Sequence, residues 1–309
     1  PEDWMPRCVE SVEVTGTLSA QAAAETGLRP GLPVVGGGGD NAAAAIGSGI
    51  VVEGVISASV GTSGVVFAHT DDMKLDPQAR LHSFCDAVPG RWHVMGVMLS
   101  AGGSLRWLRD TVAGAEREVG RLSGVDPYQV MDAEAAQVAP GCEGLLFLPY
   151  LTGERTPHPD PNARGAFVGL TLRHDKAALV RAVLEGVAYG LRDSLELLRA
   201  LHIPVRQVRV LGGGARSTVW RQIMADIFGV ELATINITDG AAYGAALLAG
   251  VGVGVYKDVY EACDRTVRVV ESTEPLTANV GLYEEYYQQY RALYGQLKPT
   301  FEGIATLVR

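Results

Sequence analysis

Cysteine is scarce in this chain and never clustered. Cys8, Cys85, Cys142 and Cys263 stand far apart with no C-x-x-C spacing, which argues against a zinc ribbon or a dithiol redox motif and for buried, reduced thiols in a cytoplasmic protein. The six histidines are equally scattered. They form no H-E-x-x-H or other zinc-like cluster, so no dedicated metal site is expected. Basic blocks are missing as well. With a net charge of −9 and no long run of Lys or Arg, a nucleic-acid surface or a polybasic membrane surface is disfavoured. No apolar run reaches membrane-spanning length, and no signal-peptide pattern stands at the start. The Walker sequence G-x-x-x-x-G-K-[ST] does not occur, and the glycines from Gly212 onward do not fit G-x-G-x-x-G. What remains is ordinary globular composition, 47% hydrophobic and 20% charged over 309 residues, enough for one large domain or two smaller ones.

What the chain does have is glycine-rich turns at the ends of apolar runs. Gly36-Gly37-Gly38-Gly39-Asp40-Asn41 ends one run with a carboxylate. Ser59-Val60-Gly61-Thr62-Ser63-Gly64 ends the next with hydroxyls and bare backbone. Leu211-Gly212-Gly213-Gly214-Ala215-Arg216-Ser217 opens a helix much later. Glycines let backbone N–H groups approach an anion, and a helix N-terminus adds favourable charge. An acid, a hydroxyl-bearing turn and a glycine-rich helix start are parts that a phosphoryl-transfer site uses.

The periodicity places these turns. Ser19 to Gly27 reads as a short helix with Ser19 as N-cap. Pro33-Val34-Val35 reads as a buried strand with no partner before it, and Asn41 to Ile46 as a helix. Val55–Val60 and Val65–His69 read as a hairpin around Gly61–Gly64, Arg91–Met98 as a strand, and Leu105–Asp110 as a helix start after Gly102-Gly103. Leu145–Leu148 is a short strand, and 149–170 a long ordered loop. Val180, Val183, Leu184, Val187, Leu191, Leu195 and Leu198 mark a long helix. Val208–Leu211 is a strand, Ser217 caps the next helix, Glu231–Ile235 is another strand, and Ala241–Ala249 a small-residue helix able to pack closely. Leu282 to Tyr294 stripes a last helix with tyrosines that belong to the core. Strands and hairpins first, then helix and strand in alternation, give a mixed α/β sheet with helices on its faces. The opening Pro1-Glu2-Asp3-Trp4-Met5-Pro6 has no initiator Met and leads into mid-domain sequence, so the chain is expected to be the later part of a longer protein.

Three stretches resemble the FGGY family of sugar kinases, of the actin and hexokinase (ribonuclease H-like) fold. Gly37-Gly38-Gly39-Asp40-Asn41-Ala42-Ala43 resembles the family's catalytic-base turn. Leu148-Pro149-Tyr150-Leu151-Thr152-Gly153-Glu154-Arg155-Thr156-Pro157-His158, continuing through Ala163-Arg164-Gly165-Ala166-Phe167-Val168-Gly169-Leu170, resembles a segment of members that act on D-xylulose. Gly212-Gly213-Gly214-Ala215-Arg216-Ser217 with Trp220-Arg221-Gln222 resembles the adenosine turn. One position departs: a polar residue is usual several places after Gly169-Leu170, where this chain has Ala178, read here as surface variation. The resemblance implies ATP and a sugar as substrates, magnesium arriving with the ATP, and D-xylulose as acceptor, with ribulose, gluconate or glycerol as alternatives. It implies that residues 1–52 are the tail of an N-terminal domain and 53–309 a C-terminal nucleotide-binding domain, with the last helix, about 283–298, returning toward the first. Apolar surface left by a missing first domain would favour a homodimer.

The resemblance assigns roles beside plainer alternatives. Asp40 is the expected general base; a turn Asp capping the Asn41 helix is the alternative. Gly61, Thr62, Ser63 and Gly64 are the expected phosphate loop; an ordinary hairpin turn is the alternative. Gly213, Gly214 and Ala215, with Ser217 or Thr218, are expected beside the adenosine; a plain strand-to-helix turn is the alternative. Gly102, Gly103 and Arg106 are expected to wall the nucleotide pocket, although an arginine at a helix start is often merely solvated. Glu154, Arg155 and His158 are expected to order their loop by ion pairs and hydrogen bonds rather than to catalyse. A non-catalytic nucleotide-binding module of the same superfamily is the competing class.

Overall fold

A computed structural model describes residues 2–308. The chain begins with an antiparallel pair, β1 (Val14–Thr17) and β2 (Pro33–Val35), joined by α1 (Ala20–Thr26). The ends of α1 are fixed locally. Ser19 accepts a hydrogen bond from the Ala22 N–H, and Gly27 closes the helix at φ 71. The reading of β2 as a buried strand without a partner is corrected. It is largely exposed and pairs with β1, a four-residue strand whose central Gly16 breaks the apolar pattern that would have announced it.

The chain continues through α2 (Asp40–Gly47), β3 (Gly54–Val60), β4 (Gly64–Thr70), β5 (His82–Cys85), β6 (Trp92–Met98), α3 (Gly102–Val112), α4 (Gly114–Ser123) and α5 (Pro127–Ala135). A second small pair, β7 (Leu146–Leu148) and β8 (Ala166–Val168), precedes α6 (Lys176–Ala200). Then come β9 (Val205–Leu211), α7 (Thr218–Phe228), β10 (Glu231–Ile235), α8 (Gly240–Gly252), α9 (Val259–Thr266), β11 (Val269–Thr273) and α10 (Thr277–Leu307). Seven strands form one mixed sheet in the order β11-β10-β9-β3-β4-β6-β5. β3, β9 and β10 run parallel, and the remaining pairings are antiparallel.

The sheet's period of two decides what covers each face. Ile56, Ala58, Val60, Val66 and Ala68 join the main core with α6, while Val55, Val65, Phe67 and Met95 pack with Ala45 and Ile50 on the other side. Helices thus lie on both faces, as expected. α6 starts where the Asp175 carboxylate accepts from the Ala178 N–H, and it is buried along most of its length. Ala178 itself is buried, so its reading as surface variation is wrong: its methyl faces the interior at the helix start. The tyrosine stripe of α10 is core, with Tyr283, Tyr287 and Tyr290 almost fully buried against α6, α7 and β7. Two of the three hydroxyls find buried acceptors on α6: Tyr283 donates to Glu185 and Tyr287 to Asp193, both at 2.7 Å, while the Tyr290 hydroxyl has no partner among the described residues.

α2 and α8 touch backbone to backbone. A Cβ on Gly47 would overlap the Gly240 carbonyl oxygen, and one on Gly244 the Ala43 carbonyl oxygen. The four cysteines are free, but only Cys142 and Cys263 are buried; Cys8 and Cys85 are exposed, which corrects the expectation for those two. No helix among the described residues is long and apolar enough to cross a membrane.

Candidate active site

Two of the three singled-out turns, Gly61–Gly64 and Gly212–Gly214, meet at one place with the Gly102-Gly103 helix start, while the Gly36–Asp40 turn does not line that place. The β3–β4 hairpin tip is fixed by the Gly61 N–H, which donates to the Ser63 carbonyl at 3.0 Å. The start of α3 is bonded to that tip: Ala101 and Gly103 donate to the Thr62 carbonyl, each at 3.0 Å, and Gly102 donates to the Gly61 carbonyl at 2.8 Å. The turn after β9 closes from the other side. A Cβ on Gly212 would lie 2.8 Å from the Val60 carbonyl oxygen, and one on Gly214 2.6 Å from a Val60 methyl. Gly102 and Gly103 are glycines for the same reason, since Cβ atoms there would come within 2.5 and 2.9 Å of the Gly61 and Thr62 carbonyl oxygens. Gly213 is different. A Cβ there would meet nothing within 4 Å, so no protein neighbour demands its bareness.

The three turns line a cavity of about 470 Å³. Of the residues singled out in the sequence, Gly61, Thr62, Gly102, Arg106, Gly213, Gly214 and Ser217 line it. Arg106 is exposed and directs a guanidinium nitrogen to the Thr62 hydroxyl at 3.4 Å. Ser217 caps α7 by accepting from the Trp220 N–H. Ser63, Gly64, Gly103, Ala215 and Thr218 are adjacent but do not line the cavity. Gly64 is buried, and a Cβ on it would press against Leu191 and Ala101, so packing accounts for that glycine. Among the described residues the N–H groups of Thr62 and Ser63 have no hydrogen-bond partner, which leaves two exposed donors at the tip.

The far wall was not anticipated. It is α5, which contributes Asp126, Tyr128, Gln129 and Asp132. A signal was present in Asp126-Pro127: Asp126 is the N-cap, accepting from the Tyr128 N–H, and Pro127 takes the first turn. Burial, with Asp126 adding like charge, raises the Asp132 carboxyl from its ordinary value, and the nearby Ser217 hydroxyl partly opposes this. The cavity therefore has donors and Arg106 at the hairpin end, Arg216 on the turn after β9, and carboxylates on α5.

Asp40 is the first residue of α2 and exposed. The N-cap position falls on Gly39, so the alternative of a capping Asp40 does not describe the geometry. One carboxylate oxygen accepts from the Asn41 backbone at 2.8 Å and the Asn41 side chain at 3.3 Å. The other has no hydrogen bond among the described residues. Asp40 is not part of the cavity lining.

The 149–170 segment is held largely by hydrogen bonds, but it is not loop throughout, since Ala166–Val168 form β8 against β7. Glu154 accepts from the Leu99 N–H at 2.9 Å and the Arg155 N–H at 2.7 Å. Ion pairs were expected too, but none involves Glu154, Arg155 or His158 among the described residues. His158 instead stacks on Tyr294 with ring centroids 3.7 Å apart. Burial, helped by Lys298, Arg291 and Arg80 and opposed by Asp160, pushes its imidazole down to about 4.

A mixed sheet covered on both faces, with glycine turns gathered at strand ends, is the arrangement of the actin- and hexokinase-like ATPases. Residues 56–253 match the C-terminal domain, and residues 1–47 the N-terminal domain, of the FGGY family of carbohydrate kinases. The chain belongs to that family. It is similar to a xylulose kinase of Escherichia coli (strain K12), with 41% identity over 96% of this chain and 59% of that protein. It is also similar to a gluconokinase of Bacillus subtilis (strain 168), with 37% identity over 99% of this chain and 57% of that protein. Among solved structures, a xyloylose kinase from Brucella ovis superposes with a TM-score of 0.85 at 39% identity, over 97% of this chain and 59% of that one. The chain thus spans less than two thirds of the length of these relatives.

Proposed function

We propose that the protein is an ATP-dependent sugar kinase that transfers the γ-phosphoryl group of ATP to D-xylulose, giving D-xylulose 5-phosphate and ADP. The observation that carries this reading is the convergence of three glycine turns on one cavity, with Arg106 and free N–H groups at its hairpin end. Phosphates are repelled by Asp126 and Asp132 and drawn to Arg106, the Thr62 hydroxyl and the free N–H groups of the tip. The nucleoside then lies toward α5, and Gly213 leaves room for it to pass close to backbone. Magnesium would be carried in by ATP and held by phosphates and water; bound, it would neutralise phosphate charge.

Asp40 acts as the general base. Its unbonded oxygen accepts the proton of the acceptor hydroxyl, while Asn41 holds the other oxygen and fixes the carboxylate's direction. Residues 1–52 form the tail of the first domain and bring this base to the cleft; residues 53–309 form the nucleotide-binding domain. The exposed end of α10, with Ile304 and Leu307, is the part of that helix left to face the first domain.

The sugar is chosen from the likeness of Leu148–His158 and the 163–170 stretch to xylulose-specific members. The similar gluconokinase supports gluconate as the second reading. A coupled ADP-release assay of the full-length protein over D-xylulose, D-ribulose, D-gluconate and glycerol tests it. The highest kcat/KM is expected on D-xylulose; a preference for gluconate would replace the substrate, and no turnover on any sugar would favour a non-catalytic module.

A further inference from the structure

The loop that carries the xylulose-kinase-like sequence also does something to the nucleotide cavity. β5 pairs with β6 only as far as Met95. Beyond that point the 150–156 segment takes over the open edge. The Thr156 N–H donates to the Val97 carbonyl at 3.0 Å, and the Val97 N–H donates to the Thr156 hydroxyl at 3.1 Å. The Leu99 N–H donates to Glu154 at 2.9 Å, and the Ser100 and Thr152 hydroxyls bond at 3.0 Å. Two residues past Leu99 the chain makes the bonds from Ala101, Gly102 and Gly103 that hold the Gly61–Thr62 tip. The Glu154 carboxylate thus anchors the Leu99 N–H two residues before Ala101.

Glu154 is an unusual choice for such an anchor. It is 4% exposed, and among the described residues it has no cation within ion-pair distance. Asp193 on α6 faces it with like charge, Arg155 on its own loop with opposite charge, and Tyr150 and Tyr290 lie around it. Its own backbone is fixed from the far side. Glu154 and Asp160 exchange N–H···O bonds at 3.0 Å in both directions, and the Asp160 carboxylate accepts from the Tyr294 hydroxyl of α10 at 2.9 Å. A continuous line of hydrogen bonds therefore runs from α10 through Asp160 and Glu154 to Leu99 and the hairpin tip.

We infer that Glu154 is a positioning residue for the nucleotide, holding Leu99–Gly103, and through it Thr62 and Arg106, where the phosphates need them. The inference rests on the kinase reading and adds to it a role for a residue outside the cavity. Magnesium–ADP binding to the full-length protein is measured by calorimetry, beside the KM for D-xylulose, in wild type, Glu154→Ala and Glu154→Gln. Removing the hydrogen bond that anchors the Leu99 N–H should weaken nucleotide binding by about 10-fold or more in Glu154→Ala, with the sugar KM within about twofold. Glutamine keeps an acceptor oxygen for Leu99 and should restore binding to within about threefold. If Glu154→Ala does not fold, Thr152→Val removes only the bond to Ser100 and should still weaken the nucleotide selectively. Unchanged nucleotide binding in a folded variant, an equal loss for nucleotide and sugar, or no rescue by glutamine would each overturn the inference. Wild-type protein that takes up no nucleotide would instead overturn the kinase reading on which it stands.

Discussion

Raising the pH from 5 to 8 should cost the wild-type fold stability that the Glu154→Gln variant keeps. Burial, with Asp193 adding like charge, pushes the Glu154 carboxyl from 4.5 up to about 7, against the two N–H bonds and Arg155 that favour its ionised form. In the unfolded chain the group loses its proton near 4.5. Between those values the folded state holds more protons than the unfolded one, so stability declines as pH rises and the contribution is gone above about 7. At about 1.4 kcal/mol per pH unit, the interval amounts to about 3 kcal/mol. His158 runs the other way. Held down at about 4 rather than 6.5, it loses stability as the pH falls through that window. The wild-type curve alone therefore mixes opposed effects, and the difference between wild type and variant isolates Glu154. Urea titrations followed by tryptophan fluorescence at half-unit pH steps give that difference. It should grow in favour of glutamine by roughly 3 kcal/mol between pH 4.5 and 8, most of it below pH 7. A flat difference, or one that favours glutamate with rising pH, would refute the burial argument.

Asp40→Asn in the full-length protein should leave nucleotide binding intact while turnover falls by roughly 10²-fold or more, the scale of a lost general base; near-normal steady-state turnover would remove Asp40 from the mechanism. Thr62→Val should weaken ATP by about 1–3 kcal/mol in KM or Kd, and unchanged ATP kinetics would return the β3–β4 tip to an ordinary hairpin. The two neighbouring glycines should separate fold from function. Gly214→Ala drives a methyl into Val60 and should lower thermal stability by about 1–3 kcal/mol. Gly213→Ala has open space and should melt like wild type while binding ATP more weakly; the reverse pattern in melting and binding assays would show that the cavity is not the nucleotide's.

Much of the frame was readable because it is written in local patterns. The β3–β4 hairpin announces itself by two β-branched runs around Gly61–Gly64, Ser217 and Ser19 by their capping positions, and α6 and α10 by apolar residues at helical spacing. The edge strands were not readable: β5 is His-Ser-Phe-Cys and β11 Val-Val-Glu-Ser-Thr, short and mostly exposed. At the site, the turns were visible but their reasons were not. Gly102, Gly103, Gly212 and Gly214 are small because of one hairpin tip, a neighbour no local window contains. Asp132 gave no signal of its own, since its place depends on how α5 lies against a turn more than eighty residues later.

That same hairpin tip has a consequence for how the protein comes into being. Val60 and Gly61 are held between Gly102, some forty residues on, and Gly212, about 150 residues on. Contacts this distant in sequence pay their loop-closure entropy late and form slowly. During synthesis the first two turns emerge and can join long before the third exists. The cavity is therefore among the last places to become complete, and a nucleotide that recognises all three turns binds only chains that have finished folding. By mass action such a ligand pulls the population toward the finished state, so on the kinase reading proposed above ATP would stabilise newborn copies before it served as a substrate.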